Sequence, residues 1–167
     1  MKLKTKNGYE FEVDEEDVPL ASQRGWWGSS VRQRRTNGQY GKVRKYIQRS
    51  IFKNGKWTSE SLHRVILNAP DGADCDHVNG DGLDNRRNNL RFCTTSQNGA
   101  NRGSQINNTA GFKGISWHKK NKNWNVRIMV HKKMKHLGGF SKKEDAAKAY
   151  NNAAIEYFGE FAKLNVL

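Results

Sequence analysis

Polar and apolar residues alternate over residues 7–14, NGYEFEVD, the two-residue period of a strand with one exposed face. Residues 25–48, GWWGSSVRQRRTNGQYGKVRKYIQ, set turn residues between basic and aromatic runs and predict hairpins, with Trp26 and Trp27 as core and edge packing. Leu62, Val65 and Ile66 keep helical spacing, and Asn68-Ala69-Pro70 ends that element. A short strand carrying CDHV, a Gly-rich turn, a second strand carrying LRFC and a short polar helix from about Thr95 then give the order β-β-α.

A polar stretch, GSQINNTAG, separates this from a different pattern. FKGISWH, NWNVRIMVH and KHLGGF read as strands, with turns at Lys119–Asn123 and at Lys132-Lys133. Ser141 and Glu144 have the spacing of a capping box. The helix it would open carries Ala147, Tyr150, Ala154 and Tyr157 on one face, and Gly159 stands where a C-terminal cap belongs. The expected fold class is α+β: N-terminal β-hairpins, a central β-β-α unit, then a small three-stranded antiparallel sheet packed on one helix. The corresponding boundaries are 1–58, 59–102, a linker at 103–111, and 112–167.

Composition narrows the function. Thirty Lys and Arg face sixteen Asp and Glu, a formal net charge of +14. Residues 1–20 hold six acids and three bases, whereas residues 21–60 hold ten bases and one acid, Glu60. From Asn85 to Lys143 there is no acid and there are fourteen bases. Such a tract repels itself unless a polyanion lies against it, and its interleaved Trp, Asn and Gln favour nucleic acid over a merely solvated face. No apolar run approaches membrane-spanning length, and the N-terminal residues lack the apolar segment of a secretory signal, so the expected location is the cytoplasm. Cys75 and Cys93 are too few for a disulfide scaffold and read as buried free thiols on strands.

The chemistry centres on Asp76-His77. A calcium EF-hand loop counted from Asp76 fails at its third position, Val78. In a β-β-α hairpin, the end of the first strand comes close to the helix that follows, so Asp76, His77 and Asn98 can converge. Asp and Asn supply oxygen, which suits a hard cation such as Mg²⁺, with phosphate and water completing its shell. His77 has an imidazole able to take a proton from attacking water. The amide of Asn89 is suited to tying the intervening loop. Arg86, Arg87 and Arg91 would sit where a nucleic-acid strand passes.

These residues resemble the HNH (ββα-metal) nuclease motif, in the single-metal branch whose last position is Asn. The resemblance covers about residues 60–102, through LHRVILNAP, DHVNGDGLDNRRNNLR and TTSQNGAN, and is to the phage and intron-encoded homing endonucleases. It implies one ion per site, Mg²⁺ with Mn²⁺ as a substitute, held by Asp76 and Asn98; Asn101, one helical turn on, is the alternative ligand. It makes His77 the general base and Asn89 the loop-shaping residue. His63 stands in a His-Arg pair common in such enzymes; it either faces a phosphate or is a structural histidine.

Residues 111–165 resemble the plant ethylene-response-factor (Apetala-type) DNA-binding domain, in GFKGISWHKKNKNWNVRI, HLGGF and EDAAKAYNNAAIEYFGEFAKLN. That resemblance implies a sheet lying in the DNA major groove with the helix behind it. Alternation then packs Ile115, Trp117, Trp124, Val126, Ile128 and Leu137 on the helix. Lys113, Ser116, His118, Asn125, Arg127, Met129 and His136 face DNA. The plant family's Arg and Trp contacts are replaced by Ser116, His118, Met129 and His136, so its target sequence does not carry over. His118, His131 and His136 read as exposed polar residues of a sheet rather than zinc ligands.

The expectation is a metal-dependent endonuclease acting as a monomer on double-stranded DNA. It would nick one strand and leave a 5′-phosphate and a 3′-hydroxyl, as the resemblance implies. The rival is a non-catalytic DNA-binding regulator that keeps the HNH fold as a scaffold. RNA binding is a weaker third reading, because a rigid sheet suits B-form DNA better than A-form RNA.

Overall fold

In a computed structural model the chain is a mixed α/β protein with several small antiparallel sheets and few helices. The structure describes residues 1–34, 40–104 and 108–167, with the side chains of 32–42 left out. The chain divides into two compact units, Met1–Thr94 and Thr95–Leu167. This boundary falls before the polar helix rather than within the 103–111 linker.

The first unit opens with β1 (Lys2–Lys4) paired antiparallel to β2 (Glu10–Glu12), followed by a short helix α1 (Val18–Ala21). β3 (Trp27–Arg34), β4 (Tyr40–Lys53) and β5 (Lys56–Ser61) form a meander with β4 in the centre. The residues expected to turn between β3 and β4 lie outside those described. Helix α2 (Leu62–Ile66) follows directly, then the antiparallel pair β6 (Asp74–His77) and β7 (Leu90–Cys93).

One apolar cluster joins these pieces. Phe11 and Val13 from the β2 region, Trp26, Ile47 of β4, Leu62 and Ile66 of α2, and Leu90 of β7 are all buried together. Ile47, Leu62 and Val13 are at most 1% exposed, and each contributes about 1.5–3 kcal/mol by leaving water. Residues 1–58 and 59–94 therefore share a core. Trp26 is in that core and Trp27 is 41% exposed at the strand margin.

The second unit holds α3 (Thr95–Asn101), the sheet β8 (Ile115–His118), β9 (Asn123–Val130) and β10 (Lys133–Phe140), and helix α4 (Lys143–Phe158). Its strand order is β10-β9-β8, all antiparallel. Ile115, Val126, Ile128 and Val130 point into a core closed by Ala146, Ala147, Tyr150, Ala153, Ala154 and Phe158 of α4. The four small alanines let the helix lie close to the sheet.

Four local expectations are corrected. The capping box does not form: the residue before α4 is Lys142, with no side-chain cap bond. Tyr157 is 36% exposed, and Phe158, one residue on, fills the core position. Trp117 is 47% exposed, one residue before the end of β8, set edge to face on Trp124 with ring centroids 5.0 Å apart. The β9–β10 turn is His131-Lys132, both at positive φ, one residue earlier than expected. Gly159, at φ +52°, terminates α4 as its sequence position suggested.

Candidate functional site

Strand β6 places Asp76 opposite Arg91 and His77 opposite Leu90. Both Asp76 and His77 are buried, at 8% and 5% exposure. An Arg91 Nη2 lies 3.3 Å from an Asp76 carboxylate oxygen. Beyond His77 the chain leaves β6 in a loop that returns at Asn89, and polar contacts tie this loop throughout. Val78 N donates to Asn89 O at 2.8 Å and Asn79 N donates to Asn89 Oδ1 at 3.0 Å. Asn89 Nδ2 donates to Asp84 O at 2.7 Å and to Asn79 Oδ1 at 3.1 Å. One side chain thus spans both ends of the loop, satisfying backbone groups that burial would otherwise strand.

The loop is pinned to the N-terminal strands. Glu12 N donates to Leu83 O, and Asn85 N donates to Glu12 O. A Cβ on Gly82 would stand 2.2 Å from the Lys45 carbonyl oxygen and 2.6 Å from the Tyr46 ring, so only glycine lets the loop approach β4.

His77 is enclosed by three groups that sequence reasoning did not assign to the site or, for His63, left open between a phosphate contact and a structural histidine. The His63 ring stands edge to face with it, centroids 4.7 Å apart, and the Tyr46 ring lies 6.1 Å from each histidine. Asn85, fully buried, has its Oδ1 3.3 Å from His77 Nε2. Tyr46 belongs to β4, and no sequence spacing links it to the motif. Asn85 stood in view, five residues before Leu90, but in an Asn-rich stretch nothing set it apart.

Burial lowers the pKa of His77, against the opposing pull of Asn85 and the nearby aspartates Asp76, Asp81 and Asp84. Burial pulls His63 down to about 3, and the adjacent His77 and Arg64 push the same way. Both imidazoles are neutral at neutral pH. Burial also raises the Cys75 thiol and takes Cys93 up to about 11, so both free cysteines, half-buried on β6 and β7, are protonated thiols.

The arginines are engaged by acids. Arg86 forks onto the Asp84 carboxylate at 2.8 Å and lies 3.4 Å from Glu12. Arg87 forks onto buried Asp17 at 2.8–2.9 Å, with its backbone N–H on Asp14. The acidic N-terminal segment, Asp14–Asp17, thus binds the loop. Among the described residues, no group of three or more His, Cys, Asp and Glu side chains could hold a metal.

In the second unit, Asn98 of α3 is half-buried and Asn101 is buried. Ser116, Arg127, Met129 and His136 are exposed and His118 is half-buried. Arg127 and His136 are direct cross-strand neighbours, and a bulge follows between His136 and Gly138. Asn125 is on the same open face but only 8% exposed, its Oδ1 3.5 Å from His136 Nε2. Lys113 is placed differently from expectation. Its ammonium donates to the Ala100 carbonyl of α3, half-buried, and burial with Lys163 and Arg102 nearby lowers it to about 8.

Residues 62–100 match the family model of the HNH endonucleases. Over 94 residues the chain is 30% identical to Protein 3.8 of Escherichia phage T7, covering 56% of this chain and 77% of that protein. Residues 62–100 thus carry an HNH endonuclease domain. It is also 32% identical over 110 residues to the Uncharacterized HNH endonuclease L560 of Acanthamoeba polyphaga mimivirus, 62% of this chain but only about half of that relative, 56%. No solved structure matches. The HNH match begins at Leu62, the first residue of α2, and ends at Ala100 on α3, so it includes both histidines, the whole Asn89 loop and Asn98.

Proposed function

We propose that this HNH protein is a divalent-metal-dependent endonuclease that hydrolyses one strand of duplex DNA, with His77 as general base. The observation that carries the reading is the His77–Asn85 pair beside Asp76. If His77 Nε2 carries the proton and donates it to Asn85 Oδ1, Nδ1 keeps its lone pair and accepts a proton from water. Burial keeps the ring unprotonated at neutral pH, the state a base needs.

Asp76 offers one buried carboxylate, which suits a hard cation that takes most of its shell from phosphate and water; the second ligand, Asn98 or Asn101, is the one the resemblance to the HNH motif implies. It does not fit a structural zinc, which needs four protein ligands. Mg²⁺, or Mn²⁺ in its place, would stabilise charge on the phosphate and on the departing 3′ oxygen. Arg91, against Asp76, is then the cation best placed to follow the phosphate. Asn89 holds the loop, and His63 packs on the base rather than on a phosphate.

Duplex DNA is the substrate the charge favours, at +14 overall. The open face of the C-terminal sheet, with Ser116, Arg127, Met129 and His136, is the second contact surface, read as an Apetala-type sheet lying in the major groove. The protein would act as a monomer and nick.

The test is cleavage of supercoiled and phage-genomic DNA by the whole chain with Mg²⁺, with EDTA, and by His77→Ala. Mg²⁺-dependent nicking that His77→Ala abolishes is the expected result. Salt-sensitive DNA binding with no cutting on any substrate would instead favour a non-catalytic regulator.

A further inference from the structure

The three-stranded meander of the first unit has a face whose outer end neither the core nor the nuclease site uses. Registers place Trp27 opposite Gln48, Val31 opposite Arg44, Ser50 opposite Ser59, and Phe52 opposite Trp57, so these residues share one side of the sheet. The other side carries Ile47 into the core and pairs Arg49 with Glu60 and Lys53 with Asp71. Glu60 and Asp71, the acids paired with Arg49 and Lys53 of this sheet, thus lie on the other side.

At the outer end of that face β4 and β5 join through Asn54-Gly55, both at positive φ, as a tight two-residue hairpin turn requires. Phe52 and Trp57 flank the turn, 63% and 72% exposed, their rings edge to face with centroids 5.5 Å apart. Two large aromatics so open on a hairpin tip are not core packing. At the inner end the same face carries Tyr46, whose ring is 6.1 Å from both His63 and His77.

We infer that the Phe52–Trp57 hairpin tip is a base-stacking wedge that enters the DNA duplex on one side of the cut. Continuity with the nuclease site through Tyr46 and the chain's net charge of +14 favour DNA as the occupant; the inference rests on the DNA reading above. A strand rises about 3.3 Å per residue, so the six residues from Tyr46 to Phe52 span about 20 Å. At about 3.4 Å per base pair, the wedge meets DNA about six base pairs from the scissile phosphate. Aromatic stacking tolerates any sequence, because every base has a π-face, and unstacking is easiest where a base is already unpaired.

The experiment is done in EDTA, so that it is independent of cleavage. Wild type, Trp57→Ala, Phe52→Ala and Trp57→Tyr are bound to a paired duplex and to the same duplex with one unpaired 2-aminopurine. Wild type is expected to prefer the unpaired site and to change its fluorescence. Trp57→Ala should lose about tenfold in affinity for that site, the loss typical of one stacked base, with paired-duplex affinity held within about twofold by the basic residues. Trp57→Tyr, which keeps an aromatic ring, should retain the preference.

Equal preference in wild type and in both alanine variants would overturn the inference. So would Trp57-dependent partitioning into phosphatidylserine vesicles with DNA binding unchanged, which would make the tip a membrane contact. Failure of the nuclease reading shows separately, as absent Mg²⁺-dependent nicking by a protein that still stacks.

Discussion

The rings of His63 and His77 stand edge to face, centroids 4.7 Å apart, inside a wall completed by Tyr46 and Asn85. A neutral, oriented imidazole is costly to keep beside water and phosphate, and this packing supplies both neutrality and orientation. It also makes the first unit sensitive to acid.

The sign follows from where protons bind. His63 falls from 6.5 to about 3 on folding, so between those values the unfolded chain holds a proton that the folded chain does not. Stability is complete above pH 6.5 and declines as pH falls towards 3, by up to about 1.4 kcal/mol per pH unit. His77, shifted the same way, adds to the slope. Urea denaturation followed across this range should show it, and His63→Phe should flatten the curve. An unchanged slope in that variant would count against His63 as a source.

His77→Ala should abolish nicking and leave DNA affinity nearly unchanged, since it removes a proton acceptor and no phosphate contact. Electrophoretic mobility shift assays alongside plasmid nicking separate the two. Equal loss of both would mean that the loop, not the base, was damaged.

Asn89→Ala should destabilise the first unit by about 1–3 kcal/mol, because Asp84 O and Asn79 lose buried partners. Nicking should fall with it as the loop that carries His77 to its position loosens. Thermal unfolding and single-turnover cleavage measure the two effects.

Arg87→Ala should act on stability rather than on DNA. It leaves Asp17, 4% exposed, without its guanidinium partner, which costs about 1–3 kcal/mol. Arg127→Ala is the contrast: exposed on the C-terminal sheet, it should weaken DNA binding by about 1–3 kcal/mol if it reads a base, with the fold intact. If it contacts only phosphate, the salt dependence should instead fall by about one ion. Unfolding and salt-titrated binding of both variants decide the assignment.

Patterning along the chain was enough for the local elements. Alternation located the strands around Asp76-His77 and of the C-terminal sheet, Pro70 marked where α2 had ended, and the spacing of Asp76, Asn89 and Asn98 brought the HNH motif into view. What it left open needed distances between residues far apart in sequence. A periodicity names two faces of a strand without saying which is covered: hence Trp117 stays out and Lys113 turns in. The basic run at Arg86-Arg87 looked free for phosphate until the fold laid the acids of residues 12–17 against it. The enclosure of His77 depends on β4 passing beside the loop at Gly82, a contact between residues that no local pattern couples. The sequence by itself determined the chemistry available; the tertiary structure decided which of those groups are neutral, paired or open, because burial and partner charge are set by the packing of distant segments.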